Sequence, residues 1–224
     1  MGRHAEEEEL EVEVLKQRTT ILGTDHPDTI RASANLAATI SQSGRHAEAE
    51  RLEVEVLEKR KKIMGASHPD TIRASVNLAW TYYQMGRYDE AERLETEVLK
   101  QKEILFGKDH SETIDASSHL ASTYYQSGRY EEAEKLETTV LQWRTDHFGD
   151  RHLDTLRAML SLAYTYRALE RGSEATALVG KARRIALETL GSKHPLTKEL
   201  INFGSSPQPR RRDRIKEYVK RVLS

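Results

Sequence analysis

The sequence repeats itself every 42 residues. Gly23, Gly65, Gly107, Gly149 and Gly191 are spaced at that interval, and so are His26, His68, His110, His152 and His194, and Gly44, Gly86 and Gly128. A fixed period in this range marks a solenoid, in which each unit buries its apolar face only against its neighbours. The 224 residues are therefore expected to form one continuous body. Such a body offers long surfaces rather than closed catalytic pockets.

Each period holds two helical patterns. In the second unit Ser75, Leu78, Ala79 and Tyr82 fall at i, i+3, i+4 and i+7, one face of a helix. Gly86 breaks that pattern, as a left-handed C-terminal glycine does. Tyr88, Ala91, Leu94 and Val98 then form a second stripe, with Leu105 two turns on and Gly107 as its stop. The loops into the next pair read GxxHPDT or a close variant. Proline at the first helical position needs no N–H, and the acid beside it faces the positive helix end. This predicts an all-α chain of antiparallel helix pairs over residues 1–204. A lone helix covers 3–22, and pairs cover 27–64, 69–106, 111–148 and 153–190, each broken near its internal glycine position. A last helix covers 195–203. The fourth pair departs from the frame, with Glu170 at the glycine position and Gly172 where the others carry His or Tyr. Its Ala168, Leu169, Leu178 and Val179 make it more apolar, as suits a terminal, capping unit.

After Phe203 the text changes. A Pro/Ser linker over 205–210 leads into 211–224, where Ile215, Tyr218, Val219, Val222 and Leu223 take helical spacing in a basic segment. From Arg210 onward there are seven basic residues against two acids, so this end carries +5 and the rest −6 of a net −1. The tail has three readings. It covers the last exposed face of the solenoid, pairs with another copy or a partner, or lies on an anionic membrane or nucleic acid. Its length of a little over two apolar turns favours docking on protein.

Composition narrows the function classes. Hydrophobic residues make up 37% and charged residues 32%, lean for a globule but right for a thin solenoid. No cysteine is present, which excludes disulfides and thiolate metal sites. No apolar run approaches the roughly 18 residues of a membrane span, and the acidic N-terminus lacks a secretory apolar core. A cytoplasmic protein is expected. The five histidines stand one per unit, on the order of 10 Å apart. That is too far for a shared metal, so they read as loop structure and no cofactor is expected. HExxH, GxSxG and P-loop motifs are missing. The carboxylates stand beside Lys and Arg, as surface i,i+4 pairing predicts. The Glu6–Glu9 run reads as a solvated face. These observations argue against an enzyme.

The motif N/H-L-A-x-T-Y…G-R-Y-x-E-A-E-x-L resembles the tetratricopeptide repeat, with Leu78, Ala79, Tyr82, Gly86, Tyr88 and Ala91 at its signature positions. The period of 42 rather than the common 34 implies longer helices. The longer form, with LG-x-x-HP-D-T between units, is similar to the repeats of kinesin light chains and of the C-terminal tails of NACHT- and NB-ARC-type signalling ATPases. The resemblance implies a right-handed superhelix that binds a peptide or helix of a partner protein in its inner groove. It also leaves open a self-associating or autoinhibitory tail of a larger ATPase. No small-molecule substrate is implied.

In this family the first helix of each pair lines the inner wall. Equivalent positions there hold Arg31, Arg73, Asp115 and Arg157; Asn35, Asn77, His119 and Ser161; Ala38, Trp80, Ser122 and Tyr164; Ser41, Tyr83, Tyr125 and Arg167; and Gln42, Gln84, Gln126 and Ala168. These vary while the Leu-Ala-Tyr frame stays constant, as expected of a recognition surface. Arginine forks onto carboxylates, Asn bonds both sides of an extended backbone, and Trp and Tyr supply rigid contact area. The candidate peptide contacts are Arg31, Asn35, Arg73, Asn77, Trp80, Tyr83, Gln84, His119, Tyr125, Arg157 and Tyr164, for an acidic-aromatic peptide. The other reading packs the aromatic rings between helices and pairs the arginines with neighbouring acids. Trp143, in place of Lys59 and Gln101, reads as a contact site, a dock for the tail, or packing inside the capping unit.

Overall fold

The computed structural model describes residues 2–203. The linker and the basic tail lie outside the described residues. Ten α-helices follow one another: α1 (Gly2–Leu22), α2 (Pro27–Gln42), α3 (His46–Met64), α4 (Pro69–Gln84), α5 (Tyr88–Phe106), α6 (Ser111–Ser127), α7 (Tyr130–Phe148), α8 (Leu153–Ala168), α9 (Gly172–Thr189) and α10 (Pro195–Ile201). Among the described residues these ten helices have ends within two residues of those read from the sequence, and the helix expected over 211–224 lies outside the described residues. The chain divides into two compact units at Leu105 and Phe106. In the first, α1 packs on α2, α2 on α3 and α3 on α4; in the second, α6, α7, α8, α9 and α10 pack in succession.

Local chemistry explains where these helices start. The imidazoles of His26, His68, His110, His152 and His194 are N-caps. In each, Nδ1 accepts from the backbone N–H two residues on, at 3.1–3.2 Å. One of the four orphan donors of a helix start is satisfied this way, and the histidine ladder has its structural role.

The turns inside the pairs use a left-handed residue, with φ near +76° at Gly86 and +84° at Gly128. Glu170 holds the same conformation, φ +61°, without glycine. The fourth pair thus keeps the turn of the others at a steric cost of about 1–2 kcal/mol.

Close helix approach depends on one small residue per pair. Ala49, Ala91, Ala133 and Ala175 are each no more than 1% exposed. In the first unit Leu36, Ile40 and Ala49 form one apolar cluster, flanked by Leu15 and Leu52. Ile30, Val56, Leu57, Ala74 and Leu78 form another. In the second unit Leu156, Met159, Leu160, Ala163, Tyr164, Val179, Leu200 and Phe203 build the largest of these clusters, with Leu178 packed against it and Ala168 and Leu169 outside it.

Surface i,i+4 pairing does not describe all the carboxylates. Glu53, Glu95 and Glu137, again 42 apart, are 5–9% exposed inside the stack. The Thr81 hydroxyl donates to Glu53, and burial pushes that carboxyl up to about 7. Of the Glu6–Glu9 run, Glu8 turns to Arg45 at 2.8 Å, while Glu6, Glu7 and Glu9 are exposed.

Candidate peptide-binding surface

On the first helix of each pair, a stripe at i, i+4, i+7 and i+11 lies beside the constant Leu-Ala frame. On α2 it reads Arg31, Asn35, Ala38 and Gln42, and on α4 Arg73, Asn77, Trp80 and Gln84. Arg31, Asn35, Gln42 and Arg73 are exposed, while Ala38, Asn77, Trp80 and Gln84 are half-buried. The frame residues behind them, Leu36, Ala37, Leu78 and Ala79, are at most 6% exposed. The two helices touch, with Ser41 Oγ 3.4 Å from Thr81 Oγ1, so the stripes stand on neighbouring helices of one unit.

Charge on this surface is held lightly. Arg31 Nη2 lies 2.7 Å from Asp28 and Arg73 Nη2 2.6 Å from Asp70, yet the two arginine side chains are 59% and 63% exposed. Pairs so exposed contribute about 1 kcal/mol or less, and an incoming carboxylate competes for them at small cost. Trp80 is seated more firmly. Its ring stacks on Tyr83 with centroids 5.7 Å apart and planes 7° from parallel, and Tyr83 stands edge-on to Tyr88 at 5.5 Å.

Two residues read as contacts face inward. Tyr83 lies off the stripe, ten residues after Arg73, and is 7% exposed. Tyr164 is on the stripe of α8 but only 3% exposed. Phe203 packs on its ring at 4.8 Å, its hydroxyl donates to Glu199 at 3.3 Å, and the Arg167 guanidinium lies 4.9 Å over it. For these two the packing reading holds. In the second unit His119, Tyr125 and Arg157 are half-buried. Tyr125 is edge-on to Tyr130 at 5.4 Å, and Arg157 stands 3.6 Å from Asp154. Asp115 replaces the arginine of the stripe on α6 and accepts from Arg144 at 3.2 Å.

Trp143 has a packing role. Its indole N–H donates to the Asp109 carbonyl at 3.0 Å and its ring stacks on His147 at 4.0 Å. At the equivalent positions Lys59 reaches the Thr24 carbonyl at 3.0 Å and Gln101 meets Ser67 at 2.7 Å. Three different side chains thus pin the same loop.

Sequence reasoning missed the arginine network. Arg87 binds Glu50 of α3 at 2.6 Å and Glu90 of its own helix at 2.8 Å, with its guanidinium 4.4 Å over the Tyr82 ring. Arg45 with Glu8 and Glu48, and Arg171 with Glu134 and Glu174, repeat the clasp. A second set, Arg18, Arg60 and Arg144, donates to the carbonyls of Asp28, Asp70 and Asp154 at 2.8–3.3 Å. Their recurrence at intervals of 42, or a multiple of it, was the available signal.

The tetratricopeptide repeat model matches residues 35–104 and 112–188. The chain is a tetratricopeptide-repeat protein. Among solved structures, a kinesin-light-chain-like protein of Podosopora anserina with nearly identical TPR-like repeats is 25% identical. It has a TM-score of 0.77, over 84% of this chain and 89% of that one. BtubC (BKLC) from P. vanneervenii has a TM-score of 0.74 at 23% identity, over 87% and 77%. A MamA protein, at 0.55 and 15% over 87% and 98%, shares the fold alone. No curated protein matches the chain. Among the described residues of this tetratricopeptide protein no group of three His, Cys, Asp or Glu is placed to hold a metal, and no helix is long and apolar enough to cross a membrane.

Proposed function

We propose that this tetratricopeptide protein is a non-enzymatic binding module that takes an extended acidic-aromatic peptide of a partner along α2 and α4. One observation carries the reading. Arg31, Asn35, Arg73, Asn77, Trp80 and Gln84 are exposed or half-exposed on two touching helices, while the constant frame behind them is buried. The arginines suit carboxylates and the amides suit a peptide backbone. Trp80, braced by Tyr83, supplies a preorganised aromatic anchor. His119, Tyr125 and Arg157 offer the same chemistry on the second unit. The likeness to kinesin-light-chain-like repeats supports a peptide ligand.

An array of acidic-aromatic peptides tests the proposal against the wild-type chain and Arg73→Glu/Trp80→Ala. Retention by the wild type and loss of at least tenfold in the variant is expected, since aromatic hot spots contribute about 2 kcal/mol or more. A thermal melt of the variant separates lost binding from lost fold. Equal retention by both folded proteins would refute the surface.

A further inference from the structure

Helix α1 presents an apolar stripe that no described helix covers. Leu10, Val14 and Ile21 fall at i, i+4 and i+11 and are 69%, 40% and 78% exposed. One period later the same positions hold Leu52, Val56 and Ile63. There Leu52 packs on Leu36 and Ile40 of α2 and Val56 is 3% exposed, whereas Ile63 stays 46% exposed. Leu10 and Val14 thus expose the part of the stripe that a neighbouring helix covers one period later.

The rim of the stripe indicates which helix. At the close-approach position every later pair has alanine, Ala49, Ala91, Ala133 and Ala175, but α1 has Glu7. Two residues on, where α3, α5 and α7 carry Arg51, Arg93 and Lys135, α1 has Glu9. Glu7 borders one side of the stripe and Glu6, Glu9 and Glu13 the other, and all four glutamates are exposed. An ordinary first helix of the repeat would lose its tight contact at Glu7. A basic occupant with an apolar stripe would gain charge pairing around the same apolar seam.

The chain itself carries such a segment outside the described residues. Over 211–224, Ile215, Val219 and Val222 stand at i, i+4 and i+7, a helical stripe of their own, within the stretch of seven basic and two acidic residues from Arg210. We propose that α1 of one copy binds the C-terminal basic segment of a second copy, its Leu10–Val14–Ile21 stripe meeting Ile215, Val219 and Val222 and its glutamates meeting the arginines and lysines. The contact is heterologous, so reciprocal exchange closes a dimer and non-reciprocal exchange builds a chain.

Sedimentation equilibrium of the full chain tests this, with a face variant, Leu10→Asp/Ile21→Asp, and a tail variant, Ile215→Asp/Val219→Asp. Circular dichroism melts establish that both fold. The wild type is expected to gain mass with concentration, and less so at 0.5 M than at 0.05 M NaCl because the charges are screened. Each variant alone should shift the association midpoint at least tenfold. An equimolar mixture should recover mass, because the face variant keeps a sound tail and the tail variant a sound face. A wild type that stays monomeric at every concentration would overturn the proposal, whether the segment folds back within one chain or the face awaits another protein. So would a face variant that still associates. Neither result bears on the peptide surface of α2 and α4, whose array stands apart.

Discussion

Replacing Glu53 with Gln should stabilise the protein at pH 8 and leave it unchanged at pH 4. The side chain is 5% exposed on α3. Burial first, and the nearby Glu50 carboxylate to a lesser degree, raise its carboxyl from 4.5 to about 7, against the opposing hydrogen bond from Thr81. Because the folded value lies above the unfolded one, the folded state binds the proton more tightly. Stability from this group is full below pH 4.5 and is lost as pH rises to 7. The span corresponds to about 3 kcal/mol. Glutamine has the same shape, accepts the Thr81 hydrogen bond and carries no charge, so it removes that loss. The half-buried His46, pushed below its ordinary value by burial, works in the other direction by losing stability as pH falls, and it is common to both proteins. Thermal melts of wild type and Glu53→Gln at pH 4, 6 and 8 read the difference. At pH 8 the variant should melt roughly 6–12 °C higher, at about 2–4 °C per kcal/mol for a chain of this size. Equal melting at pH 8, or an equal gain at pH 4, would refute the assignment of a protonated buried carboxyl.

Two further outcomes follow from the frame. His68→Ala should cost about 1 kcal/mol in urea unfolding, because the Asp70 N–H at the start of α4 loses its acceptor, while His68→Asn, which keeps one, should recover most of it. Ala91→Leu should destabilise by about 1–3 kcal/mol or more, because Ala91 is fully buried at a close helix approach, and circular dichroism melts would show the drop.

Much of the fold was legible because the period repeats the same evidence. Helix stripes, GxxHPDT starts and glycine stops recur often enough that each copy corroborates the next. The surface was less legible, and the reasons are local. Tyr83 shares a repeat position with variable residues, but ten residues from Arg73 it falls off the exposed stripe. Tyr164 lies on the stripe and is hidden only because Phe203 folds over it, a tertiary event that periodicity does not register. Glu53, Glu95 and Glu137 look like surface acids because helical spacing alone does not say which face meets the next pair. The histidine ladder was placed correctly in the loops, yet its capping role needed the geometry of Nδ1. Trp143 looked anomalous because its chemistry differs from Lys59 and Gln101, although all three reach the loop before their helix pair.

The arginine clasps have a consequence for how such a chain changes length. Arg45 meets Glu8, Arg87 meets Glu50 and Arg171 meets Glu134, always 37 residues back, and the arginine pins reach ten residues forward. No such bond reaches further than one period. Excising or duplicating a block of 42 residues therefore hands each arginine a glutamate of the same kind at the same reach. The number of repeats can drift by recombination without leaving a broken ion pair at the seam, and gene-level slippage becomes a structurally quiet route to a longer or shorter binding surface.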